Sequence, residues 1–314
     1  MHIAVMGAGG VGGYFGARLA AAGHDVSFVA RGRHLAAIRA SGLVVKSAIG
    51  DVTIAAPRAT DDPATLSPAD VVLFTVKLWD TETAARALRP LLARGGVVIP
   101  LQNGVESIDR VAAVVGAEQV MGGVAIIAAT IGEPGVIVHT GTMARLCFGP
   151  VLPGQRPAAE AMRAALEGAG VDAEVVPDVR RALWEKFVFL VALSGLTAIS
   201  GQPLGVVRSD PELRAQFEAA MVEAWSLARA RGVALADDFV AAQMRFADTL
   251  PHEMRSSMLN DLVAGNRLEA PWLCGAVERM AKPLRVATPI NNAIHAALVP
   301  YCDGRHIARP KETA

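Results

Sequence analysis

Four groups of residues in this chain have types and spacings that could support chemistry. The first is Gly7-Ala8-Gly9-Gly10-Val11-Gly12, directly after the apolar run His-Ile-Ala-Val-Met. Between a strand and a helix, glycines at this spacing bring backbone N–H groups and a positive helix end up to a pyrophosphate. Gly7 permits the tight turn, Gly9 lets the backbone come close, and Gly12 lets helix and strand pack. The hexapeptide alone is equally a glycine-rich turn that binds nothing, since the chain holds 30 glycines. Its setting, with a strand before it, a helix after it and a second strand from Asp25, makes the dinucleotide reading specific.

The second is Arg31. Roughly 20 residues past the glycines, an NAD-binding chain carries an acid for the ribose 2′-hydroxyl, whereas an NADP-binding chain has an arginine nearby. Here the strand ends Val29-Ala30-Arg31-Gly32-Arg33-His34, with no acid in it. A guanidinium matches phosphate oxygens bidentately, so Arg31 predicts NADP(H); a merely solvated surface arginine describes Arg33 better. The third is Lys186, inside the apolar stretch Leu183 to Leu193. A lysine there either snorkels to the surface or faces a cleft. Desolvation would lower its pKa and make it an acid–base group near neutrality. The fourth is the segment from Arg255 to Glu269. Ser257, Asp261 and Glu269 would share a helix face if the helix ran through, but Gly265 and Asn266 predict a break. Taken alone, this segment also reads as a capped, exposed helix.

These groups need elements to hold them. The apolar runs predict strands at His2–Met6, Asp25–Ala30, Leu43–Lys46, Asp51–Ala55, Asp70–Lys77 and Gly96–Pro100. Further strands are expected at Val120–Ala129, Val136–His139, Arg145–Gly149 and Val171–Val176. Helices are expected at Gly13–Ala22, about Arg33–Ala40, Thr81–Ala93 and Pro157–Gly168. Strands alternating with helices predict a doubly wound parallel sheet. In such sheets the ligand lies outside the carboxyl ends of the strands. Gly7–Gly12, Arg31, Lys77 and Asn103 follow strands and should share one rim. From Asp178 to about Val299 the spacing is helical, with helices at Arg180–Ile199, Pro211–Arg231 (capped by Ser209 or Asp210), Asp237–Leu250, Ser256–Leu262, Arg267–Met280 and Pro289–Leu298. The expected architecture is an α/β Rossmann-type doubly wound sheet over residues 1–177, followed by an all-helical second domain over residues 178–314. The tail from Asp303 is polar and expected to be mobile.

Composition narrows the function. Hydrophobic residues make up 52% of the 314 residues and charged residues 19%, enough for a large core. The formal net charge is zero and aromatics are scarce, which speaks against nucleic acid as a partner. Cys147, Cys274 and Cys302 lie far apart, with no metal-ligand spacing, and read as reduced thiols of a cytoplasmic protein with no metal. No signal peptide is evident at the N-terminus. The longest apolar run, Phe187–Ile199, is too short to span a bilayer, so no membrane association is expected.

The chain resembles the ketopantoate reductase family, the 2-dehydropantoate 2-reductases. The resemblance runs through Gly7–Gly12, Thr75-Val76-Lys77, Gln102-Asn103-Gly104, Trp184-Glu185-Lys186, Leu196-Thr197-Ala198 and Ser256-Ser257-Met258-Leu259-Asn260-Asp261 with Glu269. It implies reduction of a 2-oxo acid by NADPH for pantothenate biosynthesis, with the site in a cleft between the two domains. By resemblance, Lys186 protonates the developing alkoxide and Glu269 binds the substrate hydroxyl. Ser257 helps hold the substrate carboxylate, Asn103 sits between nicotinamide and substrate, and Lys77 and Arg31 lie near the cofactor. The family commonly carries asparagines four and eight residues after its lysine; here Leu190 and Ser194 stand there. Leucine offers no hydrogen bond and serine a shorter reach, so the expected substrate is either a more apolar 2-oxo acid or ketopantoate held differently. A β-hydroxyacid dehydrogenase and a non-catalytic NADPH-binding sensor are the other readings. A homodimer is compatible with the helical domain.

Overall fold

A computed structural model describes residues 1–304 of the chain; the tail expected to be mobile lies, from residue 305 on, outside them. The chain divides into two compact units, Met1–Ala182 and Leu183–Ala314.

The first unit contains, in order, β1 (His2–Met6), α1 (Gly10–Ala21), β2 (Asp25–Val29), α2 (Gly32–Ser41), β3 (Leu43–Ser47), β4 (Val52–Ile54), β5 (Arg58–Thr60), β6 (Val71–Phe74), α3 (Thr81–Arg86), β7 (Val97–Pro100), α4 (Ser107–Val115), β8 (Gly122–Ile131), β9 (Val136–Gly149), α5 (Arg156–Gly168) and β10 (Asp172–Val175). Five of these strands form a parallel sheet in the order β5-β2-β1-β6-β7. β6 and β7 are buried along their whole length, as continuous β-branched runs require when both faces of a parallel sheet are covered. A second sheet, ordered β10-β9-β3-β4 with β8 also on β9, mixes parallel and antiparallel pairs. α1 packs between these layers, with Tyr14, Phe15, Ala17 and Leu19 in the core.

Three local differences from expectation have physical causes. α3 stops at Arg86 instead of running to Ala93, because Pro90 lacks an N–H and disfavours helix in the residue before it. The two short strands expected at Val136–His139 and Arg145–Gly149 are one strand, β9, of 14 residues. Gly141, at φ +77, and a register shift opposite Ile127/Ala129 bend it without ending it. β5, a three-residue edge strand, is too short to carry a periodic signal.

The second unit is helical, and no strand occurs among its described residues. Its helices are α6 (Val179–Ser200, whose first turn belongs to the first unit), α7 (Leu204–Ser209), α8 (Pro211–Ala230), α9 (Phe239–Thr249), α10 (Ser257–Val263), α11 (Cys274–Ala281) and α12 (Pro289–Leu298). Asp210 caps α8, its carboxylate accepting from the Glu212 and Leu213 N–H groups, with Pro211 at the first helical position as helix starts favour. Glu223 is buried on α8, where its carboxylate accepts from the backbone N–H groups of Ile290 and Asn291. This clamps the positive end of α12 with a negative charge. α6 has 22 residues and is long and apolar enough to cross a membrane by length and composition, but 67% of its most apolar window is buried inside the protein, as in a core helix.

Candidate active site

The glycine turn is built as its spacing predicts. Gly7 sits at φ +104, a conformation that side chains other than hydrogen rarely adopt. The Gly7 and Ala8 N–H groups both donate to the Val29 carbonyl at the end of β2, at 3.1 and 2.9 Å. α1 begins at Gly10, inside the motif and three residues before the expected start, with Gly9 as an N-cap that offers no side chain. Its first intrahelical bond runs from the Gly13 N–H to the Gly9 carbonyl at 2.7 Å. The N–H groups of Gly10, Val11 and Gly12 therefore precede the ladder and have no acceptor within the helix. A Cβ on Gly9 would meet nothing within 4 Å, so the backbone there is open to a ligand.

Gly12 is closed instead. A Cβ there would lie 2.3 Å from Thr75 Oγ1 and 2.4 Å from the Gly7 carbonyl, and the Thr75 hydroxyl itself donates to that carbonyl at 2.6 Å. Gly10 is equally tight, 2.1 Å from the Ala129 carbonyl by the same construction. A Gly12→Ala variant should therefore lose about 2–3 kcal/mol of stability from overpacking together with nucleotide affinity. A denaturant titration and a nucleotide titration check both.

The parallel register places the other predicted cofactor residues on one rim. Met6 pairs with Val29 on one side and Phe74 on the other, and Phe74 pairs with Pro100, so β2, β1, β6 and β7 end in one row. Arg31, Gly7, Lys77 and Asn103 follow these four strand ends in that order. Arg31 is the N-cap residue of α2. Its exposed guanidinium pairs with Asp80 at 3.3 Å. Lys77 is exposed, with its ammonium 5.7 Å from the centre of the Trp79 ring. Asn103 is half-buried. The neighbouring Gln102 carboxamide donates to the Val76 carbonyl at 2.8 Å and to Thr81 Oγ1 at 3.0 Å. That tie holds the loops bearing Lys77 and Asn103 to each other.

The second unit carries the residues predicted to do the acid–base chemistry, Lys186 and Glu269. α6 is buried on nearly every side from Val191 to Ala198, whereas Lys186 and Leu190 are only partly buried. One turn apart, they share a helix face. Burial pushes the Lys186 ammonium down to about 8, and the Glu269 carboxylate pulls the other way. Lysine and glutamate are thus within electrostatic reach of one another. Glu269 itself is buried. It caps a short 3-10 turn at Ala270–Trp272, reached after the predicted break: α10 ends at Val263, and Gly265 sits at φ +69. Ser257 is the exposed first residue of α10.

The start of α10 is fastened to α6 by a chain of hydroxyls. The Leu259 N–H donates to Ser256 Oγ at 3.0 Å, Ser256 Oγ lies 2.7 Å from Thr197 Oγ1, and Thr197 Oγ1 donates to the Leu193 carbonyl at 2.6 Å. Ser194 is the exception among the predicted residues. It is fully buried, and its hydroxyl has no hydrogen-bond partner among the described residues. Sequence reasoning missed Asp80 and Trp79 as supporting groups and named Gln102 and Thr197 only as members of short motifs, without a role. Only the short motifs around Lys77, Asn103 and Ala198 hinted at them.

A glycine turn on a parallel sheet, followed by a helical unit with a depressed lysine beside a glutamate, defines a two-part dinucleotide-dependent oxidoreductase. The family model for "Ketopantoate reductase PanE/ApbA" matches residues 3–153, and its C-terminal counterpart matches residues 178–301. The chain belongs to the ketopantoate reductase family, whose members are oxidoreductases that use a nicotinamide cofactor. It is 31% identical over 309 residues to the uncharacterized oxidoreductase YkpB of Bacillus subtilis, covering 96% of this chain and 99% of that protein. It is 31% identical over 292 residues to the 2-dehydropantoate 2-reductase of Halobacterium salinarum, covering 92% and 95%. Among solved structures, the 2-dehydropantoate 2-reductase of Geobacter metallireducens superposes with a TM-score of 0.89 at 32% identity, covering 96% of this chain and 99% of that one. A PanE/ApbA family ketopantoate reductase of Ralstonia eutropha gives 0.87 at 36%, covering 96% and 98%.

Proposed function

We propose that this protein reduces a 2-oxo acid with NADPH, 2-dehydropantoate being the first candidate and pantoate the product. The observation that carries the reading is Lys186: a lysine whose pKa burial lowers to about 8, within electrostatic reach of Glu269, on the partly buried face of a core helix. The cradle fits a dinucleotide, since the open Gly9 and the helix-start N–H groups of Gly10, Val11 and Gly12 offer donors to a pyrophosphate. Arg31 and Lys77 supply positive charge at the same rim, for a 2′-phosphate and its surroundings. When bound, the nicotinamide supplies the hydride.

The rest falls to side chains. As negative charge grows on the substrate carbonyl oxygen, the Lys186 ammonium stabilises it and gives up a proton to it. Glu269 accepts a hydrogen bond from the substrate hydroxyl and keeps Lys186 charged at neutral pH. Ser257 and Asn103 hold the substrate carboxylate and the reacting carbonyl in line. Leu190, one turn from Lys186, gives that face an apolar wall that favours a 2-oxo acid with an alkyl branch, whereas the fully buried Ser194 hydroxyl is out of the substrate's reach.

The test is NADPH consumption by purified protein with a panel of 2-oxo acids, 2-dehydropantoate included, and NADH alongside. Faster oxidation with 2-dehydropantoate supports the full reading. Preference for another 2-oxo acid keeps the chemistry and moves the substrate. NADPH binding without turnover on any acid favours the sensor reading. Two variants add to it. Arg31→Ser should weaken NADPH binding about 10-fold or more, as loss of a charge-assisted phosphate contact does, and leave NADH unchanged. Ser194→Ala should leave the KM for the oxo acid within about twofold of wild type with no loss of thermal stability, because the hydroxyl it deletes is fully buried and has no hydrogen-bond partner among the described residues.

A further inference from the structure

His34 lies in the first turn of α2, three residues after Arg31, and is partly buried. Its ring bridges two backbone groups distant in sequence. Nδ1 lies 3.0 Å from the Gly135 N–H, in the turn between β8 and β9, and Nε2 lies 2.7 Å from the Ala8 carbonyl in the glycine turn. A backbone N–H can only donate, so Nδ1 is the acceptor and the ring is neutral there. The proton then sits on Nε2 and is donated to Ala8.

That carbonyl belongs to the peptide between Ala8 and Gly9. Its other end, the Gly9 N–H, donates to the Gly7 carbonyl at 2.8 Å. The peptide plane is thus held from both ends, by His34 and by Gly7. Without the His34 bond, the Gly9–Gly7 bond alone holds this plane, and Gly9, having no Cβ, adds little resistance to its rotation. Rotation would take the Ala8 carbonyl off His34 and shift the Gly9 backbone from which the N–H groups of Gly10, Val11 and Gly12 follow, and a carbonyl dipole turned toward a phosphate would repel it.

We infer that His34 is a positioning residue for the nucleotide: it locks the Ala8–Gly9 peptide so that the glycine turn presents only donors to the pyrophosphate. This rests on the dinucleotide reading above. His34 acts through the pyrophosphate contact, which NADPH and NADH have in common, whereas Arg31 discriminates between them.

Three substitutions separate the two bonds. In His34→Gln the amide nitrogen takes the place of Nε2 and keeps the bond to Ala8. In His34→Asn the amide oxygen takes the place of Nδ1 and keeps only the bond to Gly135. His34→Phe keeps neither. Nucleotide dissociation constants are measured by fluorescence titration with NADPH and NADH, alongside melting temperature and kcat at saturating nucleotide. The Asn and Phe variants are expected to weaken both nucleotides about 10-fold with kcat changed less than about twofold, while Gln stays within about threefold of wild type. If Phe fails to fold, the Gln and Asn pair carries the comparison. Asn binding like wild type with Gln impaired, or all variants binding like wild type, overturns the proposal. Since the readout is binding of either nucleotide, an error in the substrate or in the NADPH preference leaves this outcome unaffected.

Discussion

Lys186→Ala is expected to lower kcat for 2-oxo acid reduction by about 10²–10⁴-fold, the range for removing a positioned proton donor, with NADPH binding within about twofold of wild type because the cradle lies on other elements. Loss of fold is excluded by a second expected result. Lys186 carries its charge at a cost, since burial holds its pKa at about 8 in the folded chain against 10.5 otherwise. The folded state therefore binds fewer protons than the unfolded one between these values, and stability rises with pH across that window. Below about 8 the full penalty is present; above 10.5 it is gone. Lys186→Met should accordingly be more stable than wild type at neutral pH, by about 1–3 kcal/mol, with the gap closing toward alkaline pH. A dead but more stable variant is the mark of a catalytic lysine; a variant that turns over normally would refute its role.

Glu269→Gln is the second large effect. The carboxylate raises the Lys186 pKa against desolvation, so its removal lets the pKa fall further. The wild-type reduction rate should be flat in mild acid and decline as pH rises through about 8, if the ammonium is the proton donor as proposed. In Glu269→Gln the decline should begin at lower pH, with kcat/KM near pH 8 reduced about 10- to 100-fold once the lost hydrogen bond to the substrate is included. An unchanged pH profile would separate Glu269 from Lys186.

The legible parts of this molecule are local in the chain. The strand, the glycine turn, the helix and Arg31 lie within 31 residues, and each is specified by its neighbours. Lys186 was visible because a charge inside an apolar run has few innocent explanations. The break before Glu269 was visible in Gly265 and Asn266. What the sequence did not disclose depends on long loops closing. Asp80 reaches Arg31 from 49 positions away, Gly135 meets His34 across 101, and Glu223 caps α12 across 67. No periodicity encodes such pairings. The second sheet has the same origin, because β3 pairs with β9 far along the chain. Ser194 was placed by its spacing from Lys186, and spacing on a helix fixes direction but not what packs over it.

The most direct test of the central claim is to supply NADPH deuterated at the transferable position, together with 2-dehydropantoate, and to analyse the product by mass spectrometry. The account predicts pantoate carrying the deuterium at its new C–H bond, formed by the wild type and not by Lys186→Ala. No deuterium transfer from NADPH to 2-dehydropantoate or to any other 2-oxo acid of the panel, with protein in excess and nucleotide bound, would contradict it.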